Sequence, residues 1–320
     1  MKKVILIPII VGSALLVTGG ILLGVGIANS MSVAKSNIRE EVLTEDFTNL
    51  DFNLDVSDLT FVKTNDGTKK LVFQEQKKQY HEYTVQDGTL KVTYKDTRMW
   101  NEKWFSFGQH IKVTVYLPEA TYGSVKIDSD TGDTNIPSDF TFDSFYLEGH
   151  TGDLTMSANV TNSYYAKLTT GDMKLSSITT KEMELKADTG RITLTDVDVA
   201  EDLSMKISTG DIVLTNVHAK NLYKNKDGKG STGKIKLINT VVSEKIIIKC
   251  GTGDIILTDS DAHDLDLESS TGDIKGTLLT GKIFSASTHT GHIDVPPNDL
   301  SGGECKAKTS TGNIVIKIKA

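Results

Sequence analysis

Carboxylates recurring at a fixed spacing are the first chemistry that this chain offers. Asp133, Asp153 and Asp172 each follow a glycine, as do Asp211, Asp254 and Asp273. Stacked rung on rung, such groups stand ~5 Å apart, where they repel and where a hard cation such as calcium could bridge them. Asp after Gly also suits a solvated turn, and Arg191, Lys234, His292 and Asn313 interrupt the series. A turn role is therefore expected, and no metal site is assigned. The second group is basic. Lys224, Lys226 and Lys229 lie in the segment Lys224–Gly230, with Lys234 just beyond. These four lysines are the candidate binding residues, read as a projecting loop that meets anionic lipid or an anionic wall polymer. His289 and His292 flank one turn, too few ligands for a metal centre. Cys250 and Cys305 are expected as small core residues, nearly three coils or roughly 13 Å apart along a stack, beyond the ~7 Å Cα limit of a disulfide. No cluster of Asp, Glu, Arg or Lys has the arrangement of an acid–base pair, so no catalytic residue and no cofactor is expected.

The elements that must carry these residues are legible from a repeat. A Thr-Gly pair recurs ten times, its glycine at 132, 152, 171, 190, 210, 233, 253, 272, 291 and 312. Such self-similarity marks a solenoid. Two and four positions after the glycine the residues are apolar, as in Ile192/Leu194, Ile212/Leu214 and Ile255/Leu257; Thr134 and Gly276 are the exceptions. Seven and five positions before it lie Val125/Ile127, Phe145/Leu147 and Leu203/Met205. Both flanks thus alternate with period two, as strands with one buried face do. Inward parity is odd before the glycine and even after it, so the glycine must turn the chain with φ > 0. A second turn carries Asn, Asp or Ser, as in Leu194-Thr195-Asp196-Val197. The expected fold is all-β: a parallel β-solenoid (β-helix) of about ten coils over 119–320. The ladder of threonines is read as structural.

Ahead of the repeat, residues 47–118 alternate without the Thr-Gly signature and are expected to form a β-rich N-terminal cap, with turns at Asn65-Asp66-Gly67 and Gln86-Asp87-Gly88. Trp100 and Trp104 are expected as core or cap residues. Residues 31–46 read as a polar tether, and 1–30 as a cytoplasmic stub and transmembrane anchor. Val4 to Ala28 is a run of 25 residues with no charged side chain. At ~1.5 Å per residue it spans roughly 37 Å, enough for a ~30 Å hydrocarbon core. Lys2 and Lys3 favour an inside N-terminus with the solenoid extracellular. The run exceeds the ~7–15 apolar residues of a signal peptide. At the far end, alternating lysines in Ile314–Ala320 read as protection of a terminal edge strand. A net charge of −7 argues against nucleic acid as a partner.

With Thr151-Gly152-Asp153, Thr170-Gly171-Asp172, Thr209-Gly210-Asp211-Ile212, Thr252-Gly253-Asp254-Ile255 and Thr271-Gly272-Asp273-Ile274 in hand, the chain resembles the putative-adhesin family, a domain of unknown function with serial TGD-type repeats. It is similar to the Lia-type envelope-stress proteins of Gram-positive bacteria. The resemblance covers roughly residues 47–320 and implies a surface-exposed β-solenoid at the cell envelope, with no catalytic residues.

Three classes of function follow. The first is a non-enzymatic, membrane-anchored envelope protein that binds or senses a cell-wall or surface polymer. The second is a structural or accessory scaffold for an envelope signalling protein. The third is a polysaccharide-active β-helix enzyme, for which the outward aromatics are few.

Overall fold

The computed structural model describes residues 37–103, 111–227 and 230–320. The apolar run 4–28, and with it the expected membrane helix, lies outside these residues. Among those described, no helix is long and apolar enough to cross a membrane.

The chain folds as a parallel β-solenoid. Hydrogen-bonded registers align Thr131 with Thr151, Thr151 with Thr170, Thr170 with Thr189 and Thr189 with Thr209. The series continues through Thr232, Thr252 and Thr271. Each coil has three short sides. The first ends at the Thr-Gly pair, the second carries residues such as Ile192–Leu194, and a third follows the Asn/Asp/Ser corner, where Ile178, Val197 and Val217 stack. At the first corner Gly190 has φ 147°, and a Cβ there would lie 1.9 Å from Gly171 O. Only glycine allows both that φ and that approach. The second corner uses left-handed Ser177, Asp196, Asn216, Asn239 and Asp259, with φ from 48° to 55°. Their side chains also stack: Asn216 Nδ2 donates to Asp196 Oδ1 at 2.8 Å, and Asn239 Nδ2 donates to Asn216 Oδ1 at 3.2 Å. Inward rows from the three sides fill a single core, which runs the length of the stack.

Both ends depart from the simple reading. At the N-terminal end, Asn49–Asn53 pairs in parallel with Thr89–Asp96 on one side and Thr121–Thr131 on the other. Ser57–Thr64 likewise lies between Ile111–Pro118 and Thr134–Ile136. The cap therefore contributes two genuine rungs, stacked out of chain order, and Asp55 with φ 49° turns one of them. With the ten Thr-Gly coils these make a rod of roughly 58 Å at ~4.8 Å per rung. Antiparallel strands Lys70–Glu75, Asn37–Val42 and Gln79–Gln86 close this end. Part of the expected tether is thus a strand. The turn at Asp87-Gly88 does make a hairpin. Asn65–Gly67 does not, because Ile111–Pro118 lies between the strands that it joins. Trp100, expected as a core or cap residue, belongs to the cap but not to the core: it is 78% exposed on a short helix, Trp100–Lys103, in the insertion between two strands of the outermost rung; Trp104 lies outside the described residues.

At the C-terminal end the stack order is also permuted. Thr271 pairs with Thr311, and Thr311 with Thr290. The last coil of the chain inserts between its two predecessors, so Ile314 and Val315 lie inside the stack and are not the expected edge, whereas residues 316–318, with Lys317, have no partner on their outer side among the described residues. The terminal rung is Ile283–Thr290 with Ile293–Asp294. This permutation puts Cys305 beside Leu265, two rungs from Cys250 and not nearly three. Both cysteines are free and buried.

Candidate binding face

The post-glycine aspartates have a structural occupation. Asp153 N donates to Asp133 Oδ1 at 2.8 Å, Asp172 N to Asp153 Oδ1 at 2.8 Å, and Arg191 N to Asp172 Oδ1 at 2.8 Å. Each carboxylate thus accepts the backbone N–H of the next rung beyond the glycine turn, a charge-assisted bond. Asp58 starts the series on Asp133 N, and Asp273, Asn313 and His292 continue it in spatial order at the far end. The bond to Asn313 N, followed by the Lys275 ammonium, holds the Asp273 carboxyl below the usual range. Among the described residues no group of three or more His, Cys, Asp or Glu side chains could hold a metal ion.

The four candidate lysines do not converge. Lys224 is 1% exposed because the register pairs it with Met205 and Ile248, both inward residues. Its Nζ donates to Ser231 Oγ and, at 2.9 Å, to Lys249 O, and burial pushes its pKa down. It is a core residue and not part of a surface patch. Lys226 is exposed and lies 4.0 Å from the centre of the Tyr223 ring. Lys229 lies outside the described residues. Lys234 sits past the glycine corner, where its backbone N–H donates to Asp211 Oδ1, on a different side of the coil from Lys226.

What the fold does assemble is a basic row that one loop could not reveal. On the first side of the coil, outward positions stack in columns. Glu148, Lys167, Lys186 and Lys206 form one column on successive rungs. Lys249, Glu268 and Lys308 continue it past the Lys226 loop. The adjacent column holds Tyr146, Tyr165, Glu184, Ser204 and Tyr223. Tyr146 and Tyr165 stack with ring centres 4.8 Å apart and planes 10° apart. The Lys186 ammonium stands 4.9 Å over the Tyr165 ring. Glu184 beside it, at 2.7 Å, raises the Lys186 pKa and keeps it charged. Lys167 meets Glu148 at 3.6 Å and Lys206 meets Asp227 at 2.9 Å. Such half-exposed pairs are each worth only about 0–1 kcal/mol, so an incoming anion can replace the carboxylate at little cost.

A second assembly at the N-terminal end was invisible in the sequence. Ser57 Oγ lies 2.9 Å from His81 Nε2, and His81 Nδ1 lies 3.1 Å from Glu75 Oε1. With Nδ1–H donating to the carboxylate, Nε2 accepts the serine hydroxyl, the connectivity of a hydrolase triad. Burial would raise the Glu75 pKa, but hydrogen bonds from His81 and Arg39 outweigh it and hold the carboxyl below its usual range. Ser57 is 1% exposed, with its own carbonyl against Gly132. The group sits inside the packing of the antiparallel strands against the first rungs, where a substrate has no approach. It ties Arg39, Glu75, His81 and Ser57, four residues from different strands, into one closed network.

A search of curated proteins finds no significant match. Among solved structures, a putative adhesin from Parabacteroides distasonis ATCC 8503 is 10% identical, aligning 88% of this chain with 98% of its own at a TM-score of 0.42. A putative adhesin from Parabacteroides merdae ATCC 43184 is 14% identical, with 89% and 97% covered and a TM-score of 0.35. A putative lipid binding protein from P. distasonis ATCC 8503 is 12% identical, with 88% and 96% covered and a TM-score of 0.27. The family model named Toastrack DUF4097 matches residues 47–232 and again 192–320, nearly the whole solenoid with both of its ends. The chain belongs to the Toastrack DUF4097 family.

Proposed function

We propose that the protein is a non-enzymatic cell-envelope component, anchored by the apolar run 4–28, whose solenoid binds an anionic surface polymer along its lysine–tyrosine face. The observation that carries this reading is the column Lys167, Lys186 and Lys206 beside the Tyr146–Tyr165 stack. Successive rungs hold the ammonium groups at a repeat of ~4.8 Å on a rigid parallel sheet. A linear polyanion laid across the rungs meets one cation per rung, and the tyrosine faces supply apolar contact between charges. Recognition built this way is electrostatic and weakens with salt.

The test is binding of poly(glycerol phosphate) to the full-length protein in detergent. The variant K167E/K186E/K206E is expected to lose binding, and the wild type to lose it progressively with added salt. K174E/K236E/K275E makes the same charge change on the neighbouring side of the coil and is expected to bind as wild type does. Equal loss from both variants would reduce the effect to net charge and sink the face. Protease digestion of the solenoid in intact, wall-stripped cells tests the placement outside the membrane; protection until permeabilisation would refute it.

A further inference from the structure

The two ends of the stack are finished differently. At the N-terminal end the outer strand Asn37–Val42 carries Arg39, Glu40 and Glu41, charges that deter pairing with a further strand. At the other end, Ile283–Thr290 reads Ile-Phe-Ser-Ala-Ser-Thr-His-Thr, with no Asp, Glu, Lys, Arg or Pro. Among the described residues it pairs only with Glu304–Thr311. Ile283 N donates inward to Gly303 O, whereas Phe284 N is met by Asn298 Oδ1 at 2.8 Å. Backbone groups alternate sides along a strand, so the N–H groups of Ala286 and Thr288 point the same way as that of Phe284, along the stack axis and away from the rod. Phe284 and Ala286, which should cap the core, are only partly buried, and Ile293 is 38% exposed.

We infer that two copies of this chain pair end to end through Ile283–Thr290, antiparallel about a two-fold axis at Ser287. Identical strands meet there without like charges, which their neutrality alone permits. In that register Ala286 of each copy lies opposite Thr288 of the other and exchanges the outward backbone hydrogen bonds. Phe284 would face Thr290 in this register, but its N–H is already held by Asn298, so the paired stretch is residues 285–289. The sheets of both rods become continuous and each covers the thin end of the other's core. The inference does not depend on what the lysine–tyrosine face binds or on the apolar run.

Ser287 side chains then face each other as a non-hydrogen-bonded pair, with Cα atoms ~4.5 Å apart and within disulfide range. Ser285 would stand four residues from its own symmetry mate, at ~14 Å. Full-length S287C in detergent is expected to give a covalent dimer under mild oxidation and S285C none. The native thiols stay silent, since both are buried and burial pushes Cys305 up to about 12. By light scattering the wild type is expected at twice the monomer's protein mass, S287K and S287E each at half that value, and their mixture at the dimer mass again. A monomeric wild type overturns the inference. So does equal cross-linking of S285C and S287C, or a dimer that S287K leaves intact, which would place self-association elsewhere. All of these substitutions fall on exposed outward positions, so loss of folding does not confuse the result.

Discussion

Replacing Gly190 with alanine tests the physical basis of the stack. The new Cβ would lie 1.9 Å from Gly171 O and 2.7 Å from its carbonyl carbon. An ordinary contact is ~3.4 Å or more, so the two rungs must part by roughly 1.5 Å at this corner. Three bonds cross that gap: Gly171 N to Thr189 O at 3.0 Å, Met173 N to Arg191 O at 2.8 Å, and Arg191 N to Asp172 Oδ1 at 2.8 Å. At ~1 kcal/mol net each, their loss costs about 3 kcal/mol. Forcing a residue with a Cβ to a positive φ adds about 1–2 kcal/mol. The sum, about 4–5 kcal/mol, lowers Tm by roughly 10 °C for a domain of this size. Gly67 is the control, because it too has positive φ, 76°, yet nothing lies within 4 Å of its Cβ position. G67A should therefore cost only the strain, about 1–2 kcal/mol. Thermal unfolding followed by circular dichroism separates the two. If G190A melts with G67A, close approach between rungs is not what the repeated glycine provides.

Three further outcomes follow from side-chain networks. D153A removes the acceptor for Asp172 N and should cost about 1 kcal/mol, whereas D153N keeps an acceptor and relieves repulsion from Asp133 and Asp172, so it should be near neutral; urea midpoints decide. Lys282 and Asp261, 2% and 5% exposed and 3.0 Å apart, form a buried ion pair. K282M strands the carboxylate and should cost about 3–5 kcal/mol, part of which K282M/D261N recovers. The Glu75 carboxyl, held below its ordinary value by His81 and Arg39 against the opposing effect of burial, contributes stability above its unfolded pKa of ~4.3. That contribution disappears as pH falls through the folded value. Stability measured from about pH 7 to 3 should therefore fall more steeply for wild type than for E75Q.

Much of this fold was legible because stacking imposes the same requirement on every coil. The Thr-Gly period marks one corner, the left-handed Asp196 and Asn216 mark the next, and alternation names inward residues such as Ile192 and Leu194. Order along the axis was not legible. A rung at 312 suits the neighbour at 272 as well as it suits the one at 291, since each presents the same glycine, the same inward row and the same backbone. Only non-repeating features separate them, namely Gly281, the Pro296-Pro297 pair and Gly302-Gly303, which let the chain return over an already formed rung. Lys224 was misplaced for a related reason. It occupies the inward column of Met205 and Ile248, but charge suggested a solvated loop. The Ser57–His81–Glu75 contact joins residues that no period relates.

The repeat also limits where function can reside. Inward rows are consumed by the core, the glycine corner by aspartates that accept the next rung's backbone N–H, and the second corner by left-handed Ser, Asp and Asn whose side chains bond along the stack. The outward columns remain, and they are not uniform. On the first side of the coil the column through Lys167 passes from Asn53 to Asp128 and Glu148, turns basic at Lys167, Lys186 and Lys206, and beyond Lys249 meets acid again at Glu268. Nothing in the stacking requires that change of sign, because every one of these side chains leaves the sheet toward solvent. The tyrosines reach the same middle rungs in the adjacent column, at Tyr146, Tyr165 and Tyr223. Residue choice that architecture does not explain, concentrated on neighbouring rungs of one face, is where a ligand is to be sought, and it is why charge reversal in this column and not in the neighbouring side is the decisive comparison.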